Sequence, residues 1–206
     1  MCSGDTQKSQ KKEHEMKQDI ILAGVGGQGI LSIAFVIDNA ALKEGLNFKQ
    51  AEVHGMSQRG GAVQSHLRIS NDEIYSDLIP MGEADILLSV EPMETLRYFE
   101  YLHPRGIIVT SSTPFKNIPD YPDVDIILSK VKTANKAILV DAEKMAEEAG
   151  SKQVQNMVML GAASPYLIVK ATNLEAYIKD LFAPKGERVV EINLSAFKFG
   201  RKASGE

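Results

Sequence analysis

GVGGQG, residues 24–29, is the stretch of this sequence that decides the fold. It follows the apolar run DIILA at residues 19–23 and precedes the helical pattern ILSIAFVI at residues 30–37. A strand, a glycine-rich turn and a helix in that order form the phosphate-binding unit of dinucleotide-binding folds. The stretch therefore predicts a β-strand and an α-helix joined by a turn that can receive an anion.

Two interpretations of this turn remain open from the sequence. Gly24, Gly26 and Gly29 fill the three glycine places of the dinucleotide pattern, and Gly27 loosens the turn further. The helix N-terminus would supply unpaired N–H groups and partial positive charge to a phosphate. Alternatively, the glycines only let the helix pack closely on the sheet.

The remaining strands predict an α/β protein. Residues 84–90 and 106–111 are continuous apolar runs typical of strands buried on both faces. Helical patterns alternate with them, which favours a Rossmann-like, mostly parallel sheet with helices on both faces. Residues 48–53, 62–69 and 73–75 predict strands without an intervening helix, the 62–69 strand half-exposed, so we expect a local antiparallel addition there.

Capping residues predict where several helices begin and end. Pro92 suits the first turn of a helix. Asp141 is expected to cap a helix over residues 142–149 that Gly150 stops. A long apolar helix is expected from residue 154, bent or restarted by Pro165, and Asn173 is expected to cap residues 174–182.

Composition limits the domain organisation and the classes of function. We expect residues 1–18 to be a disordered polar leader and residues 19–206 to form one domain. The single cysteine, Cys2, excludes a disulfide within the chain and a cysteine-ligated iron–sulfur cluster. A net charge of −4 argues against nucleic acid, and no apolar stretch approaches the roughly 20 residues that span a bilayer. Without a signal peptide, a cytoplasmic location is expected.

A second unusual stretch is GMSQRGG, residues 55–61. Its polar tip carries Ser57, Gln58 and Arg59, and an arginine there can bind a carboxylate or a phosphate through two hydrogen bonds. The alternative is a surface turn whose arginine is solvated. His54 and His66 lack metal-ligand spacing, so neither a metal site nor a catalytic residue is predicted.

Two other functions remain as alternatives. A free-standing NAD-dependent dehydrogenase would use Glu52, after the second strand, to bind the ribose hydroxyls. A non-catalytic dimerisation module would instead use the apolar faces of the first helix and of residues 154–169, which also predict self-association of the isolated chain.

Three motifs together resemble a known family. GVGGQGI at the first turn, AEVHGMSQRGG after the second strand and NMVMLGA in the late helix resemble the gamma domain of the pyruvate/2-oxoacid:ferredoxin (flavodoxin) oxidoreductases. Within that family the sequence is most similar to the small (beta) subunits of indolepyruvate ferredoxin oxidoreductases. The resemblance covers residues 19–182, and the combination of the two glycine-rich motifs is specific.

The resemblance implies a subunit that works with a large (alpha) subunit. That partner is expected to carry thiamine diphosphate, Mg²⁺ and iron–sulfur clusters, and the complex oxidatively decarboxylates an aryl pyruvate with coenzyme A and reduces ferredoxin. By motif position, Gly24, Gly26, Gly27, Gln28 and Gly29 are implied to lie near the coenzyme A phosphates. Ser57, Gln58 and Arg59 are implied near the subunit junction, unless both loops serve only the interface.

Overall fold

The computed structural model describes residues 16–54, 60–116 and 118–205. These residues form a six-stranded sheet of β1 (Lys17–Val25), β2 (Asn47–His54), β3 (Ala62–Ser70), β4 (Ala84–Ser89), β5 (Leu102–Ser111) and β6 (Lys136–Val140). The helices are α1 (Ile30–Lys43), α2 (Pro92–Arg97), α3 (Val124–Val131), α4 (Ala142–Ala149), α5 (Gln155–Ala163), α6 (Ala171–Phe182) and α7 (Glu187–Ala203).

The sheet is mixed, in the order β2-β3-β1-β4-β5-β6. Strands β1, β4, β5 and β6 pair in parallel, whereas β3 is antiparallel to both of its neighbours, β1 and β2. This arrangement confirms the predicted α/β class, the mostly parallel sheet and the local antiparallel addition.

Helices cover both faces of the sheet because β1 and β4 are apolar on both sides. Ile20 and Leu22 of β1 pack into a large core with α1, α4, α5, α6 and α7. Ile21 and Ala23 point the other way, into a smaller core with α2 and α3. The successive side chains of a strand alternate between faces, so one continuous apolar run serves both cores.

The first strand begins earlier than predicted. Lys17 and Gln18 belong to β1, so the predicted leader ends too late; residues 1–15 lie outside the described residues. The side-chain amide of Gln18 is buried against the segment after α5 and forms two hydrogen bonds there. It donates to the Tyr166 carbonyl over 2.7 Å and accepts from the Ile168 N–H over 3.0 Å. Strand β3, expected to be half-exposed, is mostly buried because it lies between β1 and β2.

Three other predictions about the elements were wrong. Residues 73–75 form no strand; the carbonyls of Ser76 and Leu78 nearby accept from the Arg68 guanidinium instead. Asn173 lies inside α6, which begins at Ala171, and its amide donates to Glu44 rather than capping the helix. The helix from residue 154, expected to be bent or restarted at Pro165, ends instead at Ala163, and Ser164–Tyr166 form only a 3-10 turn.

Helix α7 was not predicted at all, although it is the longest helix among the described residues, with 17 residues. It packs across α5, and the two helices meet at glycines. A Cβ added at Gly200 would lie 1.8 Å from the Val158 carbonyl oxygen, and one added at Gly161 would lie 2.0 Å from that of Phe197. The capping predictions at Asp141 and Gly150 are confirmed, since Asp141 Oδ1 accepts from the Lys144 N–H and Gly150 has φ 111°.

Candidate functional site

The glycine turn joins β1 to α1 and is closed by Gln28. The Gln28 N–H donates to the Val25 carbonyl over 3.0 Å, and Gln28 Oε1 accepts from the Val25 N–H over 2.8 Å. The Gly26 N–H donates to the Gly61 carbonyl over 2.8 Å, which ties the turn to the start of β3. These bonds fix the turn at the carboxyl end of β1.

The glycines of the turn serve different purposes. An added Cβ at Gly24 would lie 2.8 Å from Ile30 Cδ1, and one at Gly29 would lie 2.4 Å from Asn156 Nδ2. A side chain at either glycine would therefore displace the end of a side chain on α1 or α5, and Gly29 has in addition φ 77°, a conformation that favours glycine. Gly27 has φ 101°, and no atom of the described residues lies within 4 Å of a Cβ added there, so its backbone is exposed among these residues. The packing interpretation holds for Gly24 and Gly29 and does not account for Gly27.

A cavity of about 750 Å³ opens beside Gly27. Gly27, Gln28 and Ser32 contribute one side of it, and Thr113 lies on the loop after β5. The cavity lies at the carboxyl ends of β1, β4 and β5, which is where open α/β sheets bind their ligands. Its volume falls within the range of roughly 300–1,000 Å³ typical of small-molecule sites.

Residues near the starts of three helices line this cavity. The first turn of α1 contributes Ser32, and α5 and α7 contribute Gln155 and Asn193 from their first two turns. Helix α1 has neither a side-chain cap nor an acidic residue in its first turn. Because the first N–H groups of a helix have no acceptor within the helix, they favour an anion.

Two lysines border the cavity, and they differ in their partners. Lys152 forms ion pairs with Glu143, over 3.1 Å, and with Glu147. Lys185 lies 5.3 Å from the centroid of the Phe182 ring, and no carboxylate of the described residues pairs with it. Lys185 is thus the cation at the cavity best able to accept an anionic ligand.

The buried carboxylate of Glu91 accepts hydrogen bonds that fix the loop after β5, which forms one wall of the cavity. Glu91 Oε2 accepts from the Glu94 N–H over 2.9 Å and caps α2, while Oε1 accepts from the Phe115 N–H over 3.3 Å and from the Tyr121 hydroxyl. Burial, and then the bond to Glu91, raise the pKa of Tyr121 above its ordinary value. The loop that carries Thr113 and Phe115 is therefore held in place by the hydrogen bond from the Phe115 N–H to the buried Glu91 carboxylate.

The predicted site residues are only partly brought together. Gly24, Gly26, Gly27, Gln28 and Gly29 form one turn. Ser57, Gln58 and Arg59 lie outside the described residues.

Three other polar residues were considered from the sequence: Glu52 and His66 do not line this cavity, and the side chain of His54 lies outside what the structure describes. Glu52 is on β2, which β3 separates from β1, so its strand lies roughly 10 Å from β1, one strand beyond the place that the NAD alternative requires. His66 lies in the core, where it is 3% exposed. Its Nδ1 accepts from the Ile79 N–H over 3.0 Å, its ring meets Tyr101 edge-on, and burial lowers its pKa.

Sequence reasoning missed Lys152, Lys185 and Glu91. The signal for Glu91 was its place directly before Pro92 at the end of an apolar strand. No sequence motif around Lys185 identifies it, because only the fold places it at the cavity beside the glycine turn.

Across residues 16–54, 60–116 and 118–205, no group of three or more His, Cys, Asp and Glu side chains is arranged to hold a metal ion. Within the same residues, none of the helices combines the length and the apolarity needed to cross a membrane.

Residues 19–203 match the sequence model of a family described as pyruvate ferredoxin/flavodoxin oxidoreductase. The chain is 38% identical over 198 residues to the indolepyruvate oxidoreductase subunit IorB of Pyrococcus horikoshii, covering 91% of this chain and 96% of the relative. It is 32% identical over 191 residues to the 2-oxoglutarate synthase subunit KorC of Methanothermobacter marburgensis, covering 91% and 96% of the two chains.

The fold is also similar to solved structures. A 2-oxoglutarate:ferredoxin oxidoreductase from Magnetococcus marinus, solved with 2-oxoglutarate, coenzyme A and succinyl-CoA bound, superposes with a TM-score of 0.74 at 24% identity. The match covers 91% of this chain and 31% of that protein, so this chain spans about a third of the longer one. At this identity the similarity concerns the fold alone.

Proposed function

Because this chain belongs to the pyruvate ferredoxin/flavodoxin oxidoreductase family, we propose that it is the small subunit of an oxidoreductase acting on indolepyruvate or a similar aryl 2-oxoacid. The observation that carries the proposal is the 38% identity, over nearly the whole of both chains, to a subunit named for indolepyruvate. The relative named for 2-oxoglutarate is less similar, at 32%. This difference favours the aryl substrate.

The reaction divides between two subunits in this proposal. A larger subunit holds thiamine diphosphate, Mg²⁺ and iron–sulfur clusters, which supply the decarboxylation and the electron transfer to ferredoxin. The 206 residues of this chain contain one cysteine, whereas a cluster needs about four thiolates. The isolated chain therefore does not catalyse the reaction, and its contribution is to bind and to position.

The cavity beside Gly27 is the place where this chain contacts coenzyme A in our proposal. The exposed backbone of Gly27 and the N-terminus of α1, which has no side-chain cap, favour the phosphate groups of that co-substrate. Lys185, which pairs with no carboxylate of the described residues, favours them as well. The carboxylate of Glu143 also lines the cavity, but its charge is offset by Lys152. The donor set fits a phosphate-bearing ligand.

The experiment that tests this role is steady-state kinetics of the reconstituted complex with Lys185→Ala. We expect the KM for coenzyme A to rise about tenfold, since a charge-assisted hydrogen bond contributes about 1.5–3 kcal/mol, while kcat and subunit association stay unchanged. The matched control is Lys179→Ala, an exposed lysine on α6 that does not line the cavity. An unchanged KM for coenzyme A in Lys185→Ala would show that coenzyme A does not bind in this cavity.

The same assay applies to the second motif. We propose that Ser57, Gln58 and Arg59 lie at the junction with the large subunit, on the strength of the motif. Arg59→Ala is then expected to weaken assembly, whereas a raised KM for coenzyme A with assembly intact would assign Arg59 to the co-substrate instead.

A further inference from the structure

Phe115 is an exposed aromatic residue at the cavity beside Gly27. It lies on the loop after β5, lines the cavity and is 47% exposed among the described residues. The other phenylalanine that lines the cavity, Phe182, is only 8% exposed, and the Lys185 ammonium lies over its ring. Of these two aromatic rings, that of Phe115 is therefore the one accessible to a ligand.

The backbone of the loop that carries Phe115 is fixed by the chain's own hydrogen bonds. The Ser112 N–H donates to the Val140 carbonyl at the end of β6 over 2.8 Å. The Phe115 N–H donates to the buried Glu91 carboxylate over 3.3 Å. Because the backbone is already held, a ligand that contacts the Phe115 ring loses little affinity to the ordering of this loop.

The surroundings of Phe115 distinguish it from an ordinary exposed apolar residue. A single exposed phenylalanine requires no explanation, because folded proteins expose many apolar atoms. The Gly27 backbone and Lys185, which favour an anion, line the same cavity. An aromatic ring and anion-binding groups in one cavity are complementary to a nucleotide, since its base stacks on aromatic rings and its phosphates carry negative charge.

We propose that the ring of Phe115 stacks on the adenine base of coenzyme A and so binds the nucleotide part of this co-substrate. This inference rests on the proposed function, which places coenzyme A in the cavity. The pantetheine chain of coenzyme A has no ring with which to stack, so the contact is specific to the nucleotide part. Phe115 contributes to binding and takes no part in the chemistry.

The aryl ring of the 2-oxoacid is the other flat group to consider as a partner of Phe115. Our proposal assigns the 2-oxoacid to thiamine diphosphate in the large subunit, and coenzyme A to this cavity. A nucleotide with several phosphates also brings more negative charge to Lys185 than the single carboxylate of a 2-oxoacid does. These two arguments favour adenine, and the KM values of the two substrates separate the ligands.

The test is steady-state kinetics of the reconstituted complex with Phe115→Ala. We expect the KM for coenzyme A to rise about tenfold, equivalent to about 1.4 kcal/mol, with kcat unchanged. The inhibition constant of adenosine 3′,5′-bisphosphate, a fragment of coenzyme A, should rise by the same factor. Phe115→Trp keeps an aromatic ring and should hold both constants within twofold of the wild type. Ile126→Ala, at an exposed position of α3 outside the cavity, is the matched control and should also stay within twofold.

A shortened co-substrate identifies the part of coenzyme A that meets the ring. Phosphopantetheine lacks the adenosine, so its KM should be the same for Phe115→Ala and the wild type. A tenfold rise with phosphopantetheine would place Phe115 against the pantetheine chain and overturn the proposal. An unchanged inhibition constant of adenosine 3′,5′-bisphosphate in Phe115→Ala would overturn it as well.

Failure of this inference is distinguishable from failure of the proposed function. If Lys185→Ala raises the KM for coenzyme A and Phe115→Ala does not, coenzyme A binds in the cavity without stacking on Phe115, and only this inference is wrong. If neither variant changes that KM, coenzyme A does not bind in the cavity and both proposals fail. A KM that rises in Phe115→Ala for indolepyruvate instead of coenzyme A would assign the ring to the 2-oxoacid and contradict the stacking on adenine.

Discussion

Asp38 makes the stability of the isolated chain depend on pH. Burial, and then the charge of Glu52, raise the pKa of Asp38 from its ordinary value of 3.8 to about 7, so between these pH values the folded chain holds a proton that the unfolded chain has lost. The contribution of Asp38 to the free energy of unfolding is therefore highest at low pH and falls as the pH rises from about 4 to about 7. Above pH 7 the cost is on the order of 4 kcal/mol.

Replacing Asp38 by Asn is expected to stabilise the isolated chain, because the amide has nearly the same shape and cannot ionise. The gain in unfolding free energy should grow by about 3 kcal/mol between pH 5 and pH 8. Urea denaturation at the two pH values measures it. Glu73→Gln, at an exposed carboxylate, serves as control and should change nothing. A gain that is the same at both pH values would contradict the burial of an ionisable Asp38.

Individual residues of the site were predictable only where their role is local. The glycines at 24, 26, 27 and 29 are recognisable because a tight turn between a strand and a helix needs them. Asn156 donates a hydrogen bond to the Gly29 carbonyl from 127 positions away in the sequence, and Lys185, far beyond it in the chain, lines the same cavity as Gly27. No local pattern contains that information.

Helices α5 and α7 cross so closely that side chains are excluded at their contact. Gly200 lies against the backbone of Val158, and Gly161 against the backbone of Phe197. Backbone atoms cannot rotate away as a flexible side chain can, so a methyl group at either glycine must push the helices apart. This crossing places the first turns of α7 beside the cavity.

Gly200→Ala is expected to destabilise the chain by about 3 kcal/mol, at the upper end of what overpacking costs. Helix propensity alone predicts the opposite sign, a gain of up to about 1 kcal/mol. Urea denaturation of Gly200→Ala gives the sign of the change in unfolding free energy directly. Lys198→Ala, at an exposed position of α7, is the control. Equal or greater stability of Gly200→Ala would show that the two helices do not meet as described.

The elements that were predicted correctly carry strong local patterns. Strands β1, β4 and β5 are continuous apolar runs, and α4 has a capping aspartate and a terminal glycine. The missed helix α7 had a pattern too, since Val189, Ile192, Ala196 and Gly200 recur at three- and four-residue spacing. The false strand at residues 73–75 failed for a tertiary reason, because the Arg68 side chain holds the neighbouring backbone.

The order of the strands separates this molecule from a dinucleotide-binding fold that begins in the same way. In that fold the second strand lies beside the first and carries the residue that binds ribose. Here β3 takes that place, antiparallel to β1, and β2 is displaced to the edge of the described sheet. The sequence predicted the antiparallel addition, but the position of β3 next to β1 depends on pairing between distant segments.

The family to which this chain belongs and the cavity beside Gly27 both fit our proposal that the chain works with a larger subunit. The most direct measurement is ferredoxin reduction with indolepyruvate and coenzyme A by this chain alone, by the large subunit alone and by the two mixed. We predict that only the mixture reduces ferredoxin at a substantial rate. Turnover by this chain alone, or full activity of the large subunit without it, would contradict the account.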